Sequence, residues 1–140
     1  MNTMFDISTS GLVAQRMRMA AISNNIANIS TTTNEAGEAA PYQPRFVVFE
    51  ADDSLGGPLG SAGVKVAAVE IDDVEPRWKY EPHHPQAVQK GEHKGYVAYP
   101  GIDMTKEFVD ALEAARAYEA NIGVMEISKD LAQQTLRLLG

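Results

Sequence analysis

Residues 104–139 read MTKEFVDALEAARAYEANIGVMEISKDLAQQTLRLL. An apolar residue returns every seven positions, at Met104, Ala111, Tyr118, Met125, Ala132 and Leu139. A partner stripe, Phe108, Ala115, Ile122 and Leu136, runs alongside and is broken only at Lys129. This is heptad spacing sustained over about five repeats. Between Asp103 and Gly140 there is no proline and a single glycine, Gly123. A helix of that extent would run roughly 55 Å at about 1.5 Å per residue. A compact chain of this size has a radius of gyration near ~14 Å. The stretch therefore predicts a helix that projects from the fold and carries a seam in need of a partner. That points to an elongated assembly protein rather than a small enzyme.

Working outward, residues 5–29 predict a second helix. Phe5, Leu12, Met19 and Ile26 repeat at seven, with Ile7, Ala14 and Ala21 in a parallel row. The seam is rich in Ala, Met and Gly, which allows close helix approach. The other face carries Ser8, Thr9, Ser10, Gln15, Ser23, Asn24, Asn25 and Asn28, where a solvated helix would be laced with Glu and Lys. Two interpretations are open: polar packing against neighbours, or a plain exposed helix of modest propensity.

Between the helices the pattern changes. Residues 31–44 are a polar linker with Thr31, Thr32, Thr33, Pro41 and Pro44. Short strands are predicted at Phe46-Val-Val-Phe49, at residues 64–71 with a bulge near Ala67-Ala68, at Arg77-Trp-Lys-Tyr80 and at Gly95–Tyr99. Residues 55–61 read as turn. Asp103 is placed to cap the last helix and Gly140 to terminate it. The expectation is an α+β fold: long N- and C-terminal helices in an antiparallel coiled-coil-like pair, with a small β-rich insert between them. The parts are residues 1–30, a linker at 31–44, the insert at 45–102 and the last helix at 103–140. Pairing within one chain and exchange between chains both remain open.

Composition narrows function. The 140 residues are 44% hydrophobic, with a net charge of −7 and no cysteine. An acidic chain is a poor partner for nucleic acid or an anionic membrane, which call for clustered Lys and Arg. Disulfides, thiolate metal sites and cysteine nucleophiles are excluded together. The first residues lack a basic, then apolar, signal pattern, and no run of about 20 apolar residues suggests a bilayer span.

Candidate chemistry is sparse. His83, His84 and His93 lie in a Pro- and Lys-rich loop. Adjacent histidines in an extended segment point apart, and a zinc site asks for three or four ligands at defined spacing. Asp52-Asp53 and Asp72-Asp73 sit at turns without a nearby base and read as solubilising. No nucleotide, hydrolase or calcium-loop pattern appears. No catalytic group, cofactor, metal or small-molecule substrate is expected. Within the long helix, Tyr118 lies on the seam and Asn121 beside it, where a polar side chain often sets helix register.

Two stretches carry a resemblance. Ile7-Ser-Thr-Ser-Gly-Leu-Val-Ala-Gln-Arg16 through Ser23-Asn-Asn-Ile-Ala-Asn28, followed by Thr31-Thr-Thr33, resembles the amino-terminal motif of bacterial flagellar rod and hook proteins. Gly95-Tyr-Val-Ala-Tyr-Pro-Gly-Ile-Asp-Met104 through Glu113-Ala-Ala-Arg-Ala-Tyr-Glu-Ala-Asn121 resembles their carboxy-terminal motif more closely still. The resemblance covers well over half the chain. It departs at Gly101-Ile-Asp103, where the family more usually has Asn-Val-Asp, and in the histidine loop. It implies a structural subunit of the basal-body rod whose terminal helices pair and stack into the periplasmic shaft that transmits torque. It implies export without a cleaved signal through the flagellar type III apparatus. The implied partners are other copies, other rod proteins and the export-gate adaptor at the rod base. The family motif falls on Ser10, Gly11, Leu12, Gln15, Asn24, Asn25, Ala27 and Asn28, and on Tyr118, Glu119 and Asn121, as an assembly interface. The rivals are a free-standing helical adaptor or export-chaperone-like protein, and a small enzyme built on the three histidines.

Overall fold

The structure, a computed structural model, describes residues 2–55 and 61–139. The turn expected at Gly56–Gly60 and the terminating Gly140 lie outside the described residues. The element order is α1 (Asn2–Ala27), β1 (Arg45–Asp52), a 3-10 turn (Asp53–Leu55), β2 (Gly63–Ile71), β3 (Arg77–Tyr80), β4 (Tyr96–Tyr99) and α2 (Met104–Leu139). The α+β class and the two long terminal helices are as the sequence predicts. β1 and β2 form one two-stranded sheet and β3 and β4 another. In the second the strands are antiparallel, pairing Trp78 with Ala98 and Tyr80 with Tyr96.

Local chemistry sets the helix ends. Asp103 Oδ1 accepts from the amides of Thr105 (2.9 Å) and Lys106 (3.4 Å), satisfying donors that the first turn leaves open. Glu107 in that turn and Arg137 in the last suit the helix dipole. Gly101 precedes the cap because a Cβ there would collide with the Glu75 carbonyl oxygen. That close backbone approach accounts for glycine at this departure from the motif.

The chain divides into two compact units. The first is Met1–Ala20, Val47–Val69 and Asp110–Gly140; the second is Ala21–Phe46 and Glu70–Val109. In the first unit, Ala14 and Ala114 are buried, as is Ser128. In the second, Ala21, Ile22, Ala87, Val97 and Ile102 form the core, with Pro100 fully enclosed. The linker is built rather than loose. Thr33 bridges Ala39, Asn34 Oδ1 accepts from the amides of Ala36 and Glu38 (both 3.0 Å), and Gly37 takes the left-handed turn at φ 80°.

Three expectations change. The partner stripe on α2 is not an internal seam, because Phe108, Ile122 and Leu136 are exposed. Burial instead centres on the row Ala114, Asn121, Ser128, flanked by the half-buried Ala117, Tyr118, Met125 and Ala132. Small side chains allow the backbones near contact that Phe or Leu would prevent. On α1, Ser8, Gly11, Ala14 and Asn25 are buried, so part of the amide and hydroxyl face turns inward within the chain. In β2 the half-buried positions alternate strictly at Val64, Val66 and Ala68. Val69 and Ile71 stay on the exposed side, so the change of hydrophobic parity there is exposed apolar surface.

Candidate functional site

In the first unit, α1 and α2 meet over polar and small residues. A Cβ built on Gly11 would lie 2.9 Å from Asn121 Oδ1, so only glycine lets the Asn121 amide approach α1 so closely. Asn121 Nδ2 donates to the Ala117 carbonyl of its own helix at 2.9 Å, which holds that amide in place. Arg18 donates to Glu113 Oε2 at 2.9 Å and to Asp110 Oδ1 at 3.4 Å. The partners of Gly11 and Arg18 fall in opposite order along the two helices. Ser10 Oγ accepts from the Val64 amide at 3.0 Å and donates to the Ile7 carbonyl at 2.6 Å, tying α1 to the start of β2. A hollow of about 230 Å³ lies between them, lined by Val13, Met17 and Val66.

In the second unit, Asn25 is the centre. Its Nδ2 donates to the Arg45 carbonyl (2.9 Å) and to Glu107 Oε2 (3.2 Å). Its Oδ1 accepts from the Arg45 amide (2.8 Å) and the Tyr42 hydroxyl (3.2 Å). The side-chain amide thus pairs with the Arg45 peptide as a neighbouring strand would. All four of its hydrogen-bonding sites are used, as a side chain only 3% exposed requires. It joins the end of α1 to the start of β1 and to the first turn of α2.

The motif residues therefore fall into three groups. Ser10, Gly11, Asn25 and Asn121 make the internal contacts just described. Leu12, Gln15 and Tyr118 are half-buried. Gln15 Oε1 is enclosed without a hydrogen-bond partner among the described residues, and the Tyr118 hydroxyl likewise has none among them. Asn24, Ala27 and Glu119 are exposed, while Asn28 Nδ2 returns to the Asn24 carbonyl and its Oδ1 accepts from Thr31.

Sequence reasoning passed over two features. Arg18 gave a signal only in combination with Asp110 and Glu113, which lie three apart on the other helix. The second is an exposed apolar row on α2, Val124, Ile127, Leu131 and Leu138, from 44% to 87% exposed. Its 124, 131, 138 repeat stands in the sequence beside two longer heptad stripes.

The histidines separate. His84 Nδ1 accepts from the Gln86 amide at 3.1 Å, and His93 stacks on Trp78 with ring centroids 4.1 Å apart. Among the described residues no group of three metal-ligating side chains assembles. Instead β3 and β4 carry a small polar network on one face. Lys79 Nζ lies 2.6 Å from Glu81 Oε1, and the Tyr99 hydroxyl donates to Glu81 Oε2 at 2.9 Å. The Lys79 ammonium and then the Tyr99 hydroxyl hold the Glu81 carboxyl below its ordinary value. The same contacts with Glu81 raise Lys79 and Tyr99. Lys79 is exposed in this network, and Glu81 and Tyr99 are half-buried.

Two family profiles match. The one described as "Flagella basal body rod protein" covers residues 5–34, and "Flagellar basal body rod FlgEFG protein C-terminal" covers residues 93–138. The chain is 37% identical to the flagellar basal-body rod protein FlgC of Borreliella burgdorferi, over 96% of this chain and 94% of that protein. It is 37% identical to FlgC of Salmonella typhimurium, with the same coverage of both. It is 34% identical to FlgC of Bacillus subtilis, over 95% of this chain and 94% of that one.

Proposed function

The chain belongs to the FlgC family of flagellar basal-body rod proteins, and from that premise we propose how it acts as a rod subunit. It is a non-enzymatic structural protein of the basal body. Its work is to convert single chains into a stiff shaft by packing terminal helices against those of neighbours. Residues 1–30 and 103–140 supply that packing as a coiled-coil-like pair, with the linker 31–44 and the insert 45–102 between them. Ser10, Gly11, Leu12, Gln15, Asn24, Asn25, Ala27, Asn28, Tyr118, Glu119 and Asn121 act at the helix pair or between subunits. The partners are other copies, other rod proteins, the rod-base adaptor and the type III export apparatus that delivers the chain.

The observation that carries this is the inverted burial of α2. The helix encloses Ala114 and Ser128 and leaves Val124, Ile127, Leu131 and Leu138 open. A monomer gains little from such a helix; a neighbour covering the open row recovers roughly 25 cal/mol for each Å² of apolar surface removed from water. A free-standing adaptor would want charged residues flanking its seam to choose its client. Here the flanks are largely small or amide-bearing, and the charged Arg18, Asp110 and Glu113 pair with one another within the chain. Imaging basal bodies in a strain lacking the gene tests the proposal. The expected result is intact export machinery without a rod, restored by the wild-type gene; complete rods in the deletion strain would overturn it.

A further inference from the structure

The β3–β4 sheet carries an open cluster of four rings on one face. Trp78 and Tyr80 come from β3, Tyr96 from β4, and His93 from the loop before it. Trp78 and His93 stack at 4.1 Å with planes 10° apart, Tyr80 and Tyr96 meet edge to face at 5.2 Å, and His93 and Tyr96 at 6.5 Å. The strand register places Trp78, Tyr80 and Tyr96 on the same side of the sheet. They remain 40%, 63% and 36% exposed. Rings already braced against one another lose little freedom when covered, which is the character of binding hot spots.

Charge sorts along the chain in the same region. Residues 77–94 hold four Lys or Arg (Arg77, Lys79, Lys90, Lys94) against two acids (Glu81, Glu92). The rest of the chain holds eight against seventeen. Just before β3, residues 70–75 read Glu-Ile-Asp-Asp-Val-Glu, with Ile71 59% exposed. Among the described residues none of Glu70, Asp72, Asp73 and Glu75 forms an ion pair, and neither do Lys90 and Lys94. One chain thus presents an aromatic face, with unpaired lysines in the loop that leads into β4, and, separately, an apolar tooth among unpaired carboxylates.

We propose that the β3–β4 face is the docking surface for segment 70–75 of a second copy of this chain. Ile71 covers the rings, and the carboxylates meet Lys90 and Lys94. This rests on the rod-subunit reading and adds a contact outside the terminal helices. Because donor and acceptor surfaces differ, the contact is heterologous, the type that builds a helical filament when its rotation does not close a ring.

Charge exchange tests it. One variant carries Lys90→Glu with Lys94→Glu, the other Asp72→Lys with Asp73→Lys; Lys90, Lys94 and Asp73 are exposed and Asp72 is half-buried. By sedimentation velocity, each alone self-associates roughly tenfold more weakly than wild type at low salt. An equimolar mixture recovers association, since each reversed surface then finds its complement; that recovery also shows both variants are folded. In the deletion strain, neither variant alone restores motility and the two together do. Either variant assembling alone as wild type does, or a mixture no better than its components, overturns the docking surface. Wild-type rescue in the same strain leaves the rod-subunit reading standing in that event, whereas failure of the wild type would count against that reading instead.

Discussion

At Gly11 two opposing effects can be weighed. Alanine there would gain about 1 kcal/mol of helix propensity and lose a similar amount by pushing the Asn121 amide, so Gly11→Ala should be nearly neutral. Valine adds bulk without compensation, and Gly11→Val should cost about 1–3 kcal/mol in urea denaturation. Asn121→Ala in the same chain should recover part of it, giving a coupling energy that a double-mutant cycle reads directly. Asn25 is a different case. Asn25→Ala strands the Arg45 peptide groups and should cost about 2–4 kcal/mol, whereas Asn28→Ala, at the helix end, should cost about 0.5 kcal/mol or less. Equal losses at Asn25 and Asn28 would show that Asn25 is no clasp. The sequence displayed all these side chains as one amide-rich face. Which of them turned inward depended on Arg45, Tyr42 and Glu107, which lie 20, 17 and 82 positions away and leave no periodic trace near Asn25.

Among the elements, α2 was read correctly in extent, down to its Asp103 cap, because heptad spacing and absent prolines are local signals. Its buried side was legible in part: the stripe through Ala111, Tyr118, Met125 and Ala132 is half-buried, whereas Phe108, Ile122 and Leu136 of the partner stripe are exposed. The internal seam is lined by Ala114, Asn121 and Ser128, and the large apolar side chains are left for other surfaces. Hydrogen exchange should reflect this: amides near residues 110–122 are expected to be more protected in the dilute chain than those near 129–138, where nearly every side chain is exposed. Uniform protection along α2 would contradict it. The strands were legible from their β-branched and aromatic residues, but their partners were not. The β3–β4 network predicts a pH profile. Glu81 is lowered in the folded state, so its contribution is present above its ordinary value of 4.5 and is lost as acid carries the pH through the folded value. Lys79 and Tyr99 are raised from 10.5 and 10.0, so theirs is present below those values and is lost on the alkaline side. Trp78 fluorescence should therefore report a plateau in the stability of this sheet through neutrality, with a decline at both extremes. Glu81→Gln should flatten the acid limb.

For the whole molecule, the division of labour between internal and open surfaces predicts how truncation separates folding from function. Side chains 129–138 are mostly exposed, so removing residues 129–140 should change thermal stability of the single chain by about 1 kcal/mol or less. Rod assembly should nevertheless fail, because the truncated chain lacks Leu131, Leu136 and Leu138. Motility in the deletion strain expressing the truncated chain decides this: swimming at wild-type rate would show that the open row is dispensable.

Each compact unit is stitched from separated pieces of chain. The first needs residues near both ends, and the second needs Asn25 from the first helix together with Glu107 from the start of the last. Neither is complete until the final third of the polypeptide is available, and contacts of such long sequence separation form slowly. On the export route proposed above, the front of the chain would complete neither unit before the tail follows, so closure would fall at the end of delivery.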